Sequence, residues 1–138
     1  MGIAKAQFND ILGTIFTEGN VIKLYTKTPT EGVETDGTLL AGDGVVGYEI
    51  KSGDFTVNNG EAISAKHMML YLYEGTTAEC DGFGVFKKDA GNLLYFGKFE
   101  IPITLDYNDV PAIKKYNSDK GEGIRITITS TEASATTE

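Results

Sequence analysis

The chain has 138 residues, 41% of them hydrophobic, which is about one domain's length and enough apolar material for a core without metals or disulfides. Twenty acidic residues against 12 basic ones give a formal charge of −8, and such a surface repels phosphate backbones and anionic lipid, which excludes nucleic acid and membranes as partners. A lone cysteine, Cys80, excludes an internal disulfide and fits synthesis in a reducing cytoplasm. No run of about 18 apolar residues marks a membrane span, and the start "MGIAKAQFND" lacks the apolar centre of a signal peptide.

From the N-terminus, "IAKAQFNDILGTIF" sets Ile3, Phe8, Ile11, Leu12, Ile15 and Phe16 mostly three and four residues apart. This spacing predicts an amphipathic helix over residues 4–16. Gly13 weakens it, and "TEGN" (Thr17 to Asn20) supplies the turn that ends it. With Lys5 as its only cation, the helix is expected to pack on a sheet rather than lie on a membrane. Next, "NVIKLYTKT" alternates Ile22, Leu24 and Thr26 against Lys23 and Lys27, with Val21 and Tyr25 on a mixed face. That is a half-buried strand, and Pro29 stops it because proline cannot donate to a ladder. "PTEGVETDGTLLAGDG" is acidic, glycine-rich and too long for a hairpin loop, so it reads as an exposed excursion.

Strand patterns resume in "VVGYEI" from Val45, "FTVNNGEAI" from Phe55 and "HMMLYLYE" from His67. Asn59-Gly60 marks a tight turn between two strand-like runs. "FEIPITLDY" and "GIRITIT" continue the pattern, and Ile124, Ile126 and Ile128 alternate with Arg125, Thr127 and Thr129. No βαβ alternation appears, which excludes a parallel nucleotide-binding sheet. The expectation is a mainly β fold: an antiparallel β-sandwich of about seven to eight short strands with a short N-terminal α-helix. It forms a single domain over residues 1–129, and "STEASATTE" at 130–138 is a flexible, solvated tail.

One stretch carries a choice of chemistry, "DGFGVFKKDAGNLLYFGKF" from Asp81 to Phe99. A phosphate loop needs a helix after its glycines, so that free N–H groups and the helix dipole face the anion. Here Gly82 and Gly84 lead instead into a period-two run, with Val85 and Lys87 on one face and Phe86 and Lys88 on the other. "DAGN" turns, and Leu93, Tyr95, Gly97 and Phe99 return. The reading is a hairpin in which Gly91 takes the left-handed position of the turn.

The catalytic candidates are few. His67 is the only histidine, so no paired-histidine metal site exists, and it reads as structural or exposed. Cys80 with His67 is the sole nucleophile pair, without an oxyanion-hole signature, and Cys80 reads as a buried small hydrophobe. Asp106, Asn108 and Asp109 in "LDYNDV", and Asp43 in "GDG", offer oxygen ligands for a cation. Neither set completes a calcium loop, and turn residues are the expectation. No catalytic, cofactor-binding or metal-ligating residue is assigned, no cofactor is expected and the chain is read as a non-enzyme.

Several motifs occur in a recognisable order: the N-terminal helix, "VIKLYTKTPTEG" (Val21 to Gly32), Gly47-Tyr48, Phe83-Gly84, Gly91-Asn92-Leu93-Leu94, Tyr95-Phe96-Gly97 and Pro102. Over Phe8 to about Thr129 this order resembles a family of small tailed-bacteriophage virion proteins, labelled tail-fibre or head-fibre proteins. The chain departs from that pattern in three places. Glu49-Ile50 replaces a basic residue after the Gly-Tyr step, no tryptophan precedes the Phe-Gly strand, and the turn has one glycine where two are usual. The resemblance implies a capsid decoration or head-fibre protein, or a tail-fibre component, found in the virion after synthesis in the host cytoplasm. Its expected partners are major capsid or fibre proteins and further copies of itself. Seven tyrosines and seven phenylalanines also keep open a carbohydrate-binding module for host glycans, against which the lack of tryptophan counts.

Overall fold

The computed structural model describes residues 4–40, 47–69, 77–88, 91–106 and 112–127. The N-terminal apolar spacing forms α1 (Lys5–Ile15), which continues through Gly13 and ends in a turn closed by Asn20 N–H donating to the Thr17 carbonyl. Phe8, Leu12 and Phe16 are buried, but Ile11, expected on the same stripe, is 45% exposed. At about 100° per residue it falls on the flank of the face that those three rows centre.

The strands are β1 (Val21–Lys27), β2 (Thr38–Leu39), β3 (Tyr48–Glu49), β4 (Phe55–Asn58), β5 (Glu61–Ser64), β6 (Met68–Met69), β7 (Thr77–Phe86), β8 (Leu93–Asp106), β9 (Ala112–Ile113) and β10 (Arg125–Thr127). Every pairing is antiparallel, so the chain is mainly β with one short N-terminal helix, as its pattern predicts. The described residues hold ten strands rather than seven or eight, because several are two-residue pieces.

The largest sheet has the order β2-β1-β7-β8, with β3 also on β1. One edge of β1 is divided: β2 lies opposite Tyr25 and Lys27, and β3 opposite Val21 and Ile22. The acidic excursion is therefore not simply exposed loop. Asp36 accepts both the Thr30 N–H at 2.7 Å and the Thr30 hydroxyl at 2.6 Å, closing a turn that sends β2 back along β1. The register shift between Tyr25 and Lys27 also breaks the expected alternation, leaving Thr26 exposed and Tyr25 buried. Ala41 to Val46, with Asp43 among them, lies outside the described residues, as does the tail at 130–138.

Against this sheet pack α1, a three-stranded sheet of order β10-β5-β4, and the β6–β9 pair, in a sandwich-like arrangement. The core draws Leu12 and Phe16 from α1, Ile22 and Leu24 from β1, Phe83 and Val85 from β7, and Ala62, Met68 and Ile113 from the opposite layer. Ring contacts cross it in sequence: Phe55 to Phe16 at 4.5 Å, Phe16 to Tyr95 at 6.3 Å, Tyr95 to Phe83 at 6.1 Å and Phe83 to Phe99 at 5.4 Å. These tilted pairs fasten helix, small sheet and large sheet together beyond their buried area.

Candidate interaction surface

The Asp81–Phe99 stretch is a hairpin, as its period-two pattern predicts. Gly91 has φ +74°, and its N–H donates to the Lys87 carbonyl at 2.9 Å. The Gly-Phe-Gly start belongs to β7, and its first glycine answers a close approach. A Cβ on Gly82 would lie 2.5 Å from the Gly97 carbonyl oxygen and against Thr28 Oγ1. Beside it the Asp81 carboxylate accepts the Thr28 N–H at 2.9 Å and the Thr28 hydroxyl at 2.6 Å, which satisfies the chain where β1 ends.

Along β8 the ladder is interrupted. Gly82 pairs with Lys98 and Cys80 with Ile103, so Phe99, Glu100, Ile101 and Pro102 stand against the single Asp81. Phe99 turns inward onto Phe83, while Glu100, Ile101 and Pro102 face out and Ile101 is 56% exposed. A proline is tolerated here because bulges and edges do not demand its missing N–H. β8 ends the sheet order, and no strand among the described residues pairs with its outer edge.

Beside the bulge, the loop 117–122 is closed by reciprocal Asn117–Glu122 backbone bonds at 2.9 and 3.1 Å and by the Asp119 N–H donating to Asn117 Oδ1. Gly121 comes so near Ile101 that a Cβ there would lie 2.8 Å from Ile101 Cδ1. Between bulge and loop runs a groove of about 330 Å3, with Phe99, Ile101 and Pro102 as apolar lining and Lys114, Lys120 and Glu122 among its polar residues. The sequence reading missed this bulge and loop; Pro102 inside a strand run and the "NSDKGEG" turn were the available signals.

The other expected residues fall elsewhere. Cys80 is fully buried in β7, and burial, with Asp81 and Glu79 adding repulsion, pushes its thiol up to about 11. It behaves as the small hydrophobe its context suggested. His67 is exposed, and its Nδ1 accepts the Lys115 N–H at 2.9 Å across the start of the β6–β9 pair. Asp106 ends β8, while Asn108 and Asp109 lie outside the described residues. Among the described residues no group of three or more His, Cys, Asp or Glu side chains is placed to hold a metal ion, and no helix is long and apolar enough to cross a membrane.

No protein-family model matches the chain, and no curated protein or solved structure shows significant similarity to it.

Proposed function

We propose that the protein is a non-enzymatic structural component of a bacteriophage virion, a capsid decoration or head-fibre protein that acts by oligomeric assembly on the particle. The observation that carries this reading is where the resembling motifs fall. Val21 to Lys27 forms β1, Tyr48 lies on β3, Phe83-Gly84 on β7, and Leu93 to Gly97 with Pro102 on β8. All of them build one sheet. Two of their glycines serve close packing: a Cβ on Gly84 would lie 2.8 Å from the Tyr25 ring, and one on Gly47 would lie 2.6 Å from Val21. The shared signature is thus one of scaffold geometry, as expected for a part that works by shape.

In this role the outer edge of β8 and its bulge are offered to a neighbouring copy, since open strand edges are templates for pairing and closed symmetry uses them without runaway growth. A tail-fibre position works by the same mechanism. The glycan-binding alternative finds little support: Phe8, Phe16, Tyr25, Phe83 and Phe99 are buried, and no large aromatic among the described residues is fully exposed. Mass spectrometry of purified particles and light scattering of the isolated protein test the proposal. The protein is expected in the particles, and Ile101→Lys should reduce self-association or particle binding with an unchanged melting temperature. A protein absent from virions and strictly monomeric at high concentration overturns it.

A further inference from the structure

The Asn59-Gly60 dipeptide has a reactivity of its own that assembly does not use. Asn58 pairs with Glu61, leaving Asn59 and Gly60 as a two-residue connection between β4 and β5. Their φ values are 54° and 74°, the left-handed pair of a tight hairpin turn. Asn59 is exposed, at an open hollow it shares with Thr56, Asn58, Glu61 and Ile63. Its carboxamide stands next in sequence to the backbone nitrogen of a glycine, which no Cβ shields. That is the arrangement in which an asparagine side chain is most open to attack by the main chain.

The attacking nitrogen is nevertheless engaged. Gly60 is buried, and its N–H donates to Asn9 Oδ1, on α1, at 2.7 Å. We propose that Asn59 is a deamidation site held in check by α1, with Asn9 as the guarding residue. The inference is independent of the virion reading.

The reaction needs only water. The Gly60 nitrogen gives its proton to solvent base and attacks Asn59 Cγ, forming an N–Cγ bond as the Cγ–Nδ2 bond breaks. Ammonia leaves after taking a proton from water, and a five-membered succinimide remains. Water then adds to either ring carbonyl, giving aspartate or isoaspartate without any change of oxidation state. Each product adds a negative charge to a chain already at −8, and isoaspartate also inserts a methylene into the main chain at the hairpin tip.

Asn9 opposes the first step in two ways. A carbonyl oxygen at hydrogen-bond distance stabilises the N–H form and repels the deprotonated nitrogen. It also anchors the Gly60 amide plane, which restricts how that nitrogen can turn toward Cγ. Reaction therefore requires the Asn9 bond to Gly60 to open, and the rate at Asn59 reads that opening.

The test incubates the full-length protein at mildly alkaline pH and follows position 59 by peptide mapping, alongside the same chain unfolded in urea. The folded wild type should deamidate far more slowly than the unfolded chain. Asn9→Ala should raise the folded rate about five- to tenfold, the ratio expected from one net hydrogen bond. Asn9→Asp keeps an acceptor oxygen and should react no faster than wild type. Equal rates for wild type and Asn9→Ala overturn the proposal, as does a folded wild type that reacts as fast as the unfolded chain. Hydrogen exchange of the wild-type Gly60 amide needs no variant. Slow exchange is expected, and exchange at the rate of a free amide overturns the guard even if Asn9→Ala fails to fold.

Discussion

At the scale of single residues, three glycines separate three physical effects. Gly13 lies on the exposed side of α1 with nothing within 4 Å of where a Cβ would stand. Gly13→Ala should therefore stabilise the protein by about 0.5–1 kcal/mol, through lower chain entropy in the unfolded state. Gly91 also faces open space, but its φ of +74° is the left-handed conformation that side chains resist. Gly91→Val should cost about 1–2 kcal/mol from the backbone alone. At Gly82 the obstacle is packing, since the added Cβ meets backbone that cannot swing aside. Gly82→Ala should cost about 1–3 kcal/mol. Urea melts of the three variants measure all three signs, and a stabilised Gly82→Ala would show that β7 and β8 can separate freely there.

At the scale of elements, buried polar side chains do the joining. Asn20 is buried, and its Nδ2 donates to the Thr14 and Ile15 carbonyls at 3.2 and 2.9 Å. Its Oδ1 accepts the Lys88 N–H at 2.9 Å, so one residue satisfies the end of α1 and holds the β7–β8 hairpin against it. Ser64 does the same in the opposite layer: its hydroxyl donates to the Lys114 carbonyl at 2.9 Å and accepts the Ile124 N–H at 3.0 Å. Asn20→Ala and Ser64→Ala should each destabilise by about 1–3 kcal/mol, because each removes a buried side chain that bonds several main-chain groups at once. Thermal melts check this. The sites share no partner, so the double variant should show nearly additive losses. The sequence pattern marks Asn20 only as the end of the TEGN turn, and Ser64 falls just past the strand run that ends at Ile63.

For the molecule as a whole, acid and alkali act through different groups. Burial raises the Cys80 thiol from 9.0 to about 11 and raises Tyr25, Tyr48 and Tyr95 above 10.0, with the Asp54 bond and charge adding to burial at Tyr48. Above pH 9 the unfolded chain gives up these protons first, so the folded state binds more of them and stability falls as pH rises. Melting temperature against pH should decline between pH 9 and 11, and Cys80→Ala should flatten the first part of that decline. An unchanged slope in the variant would show that the tyrosines alone carry it. At the acid end, the Thr30 hydroxyl and N–H hold the Asp36 carboxyl below its usual 3.8. Its contribution is present above that value and is lost as pH falls through the lowered one.

What a single segment carries in its own pattern was determined by the sequence. The four-residue spacing of Phe8, Leu12 and Phe16 made α1, alternation made the strands, and Asn59-Gly60 and Gly91 made the turns. The positions of Ile11, β2 and the β8 bulge depend instead on which segments meet. Thr28 and Asp81 bond across 53 residues, Gly60 and Asn9 across 51, and Ile101 is placed by a four-against-one mismatch with Asp81. Periodicity records which face of a segment avoids water, but not which partner covers it. The β8 bulge with its neighbouring loop and the Asn9 contact to the Asn59-Gly60 turn are therefore decided by tertiary structure, because each needs two distant pieces of chain held at hydrogen-bond or van der Waals distance.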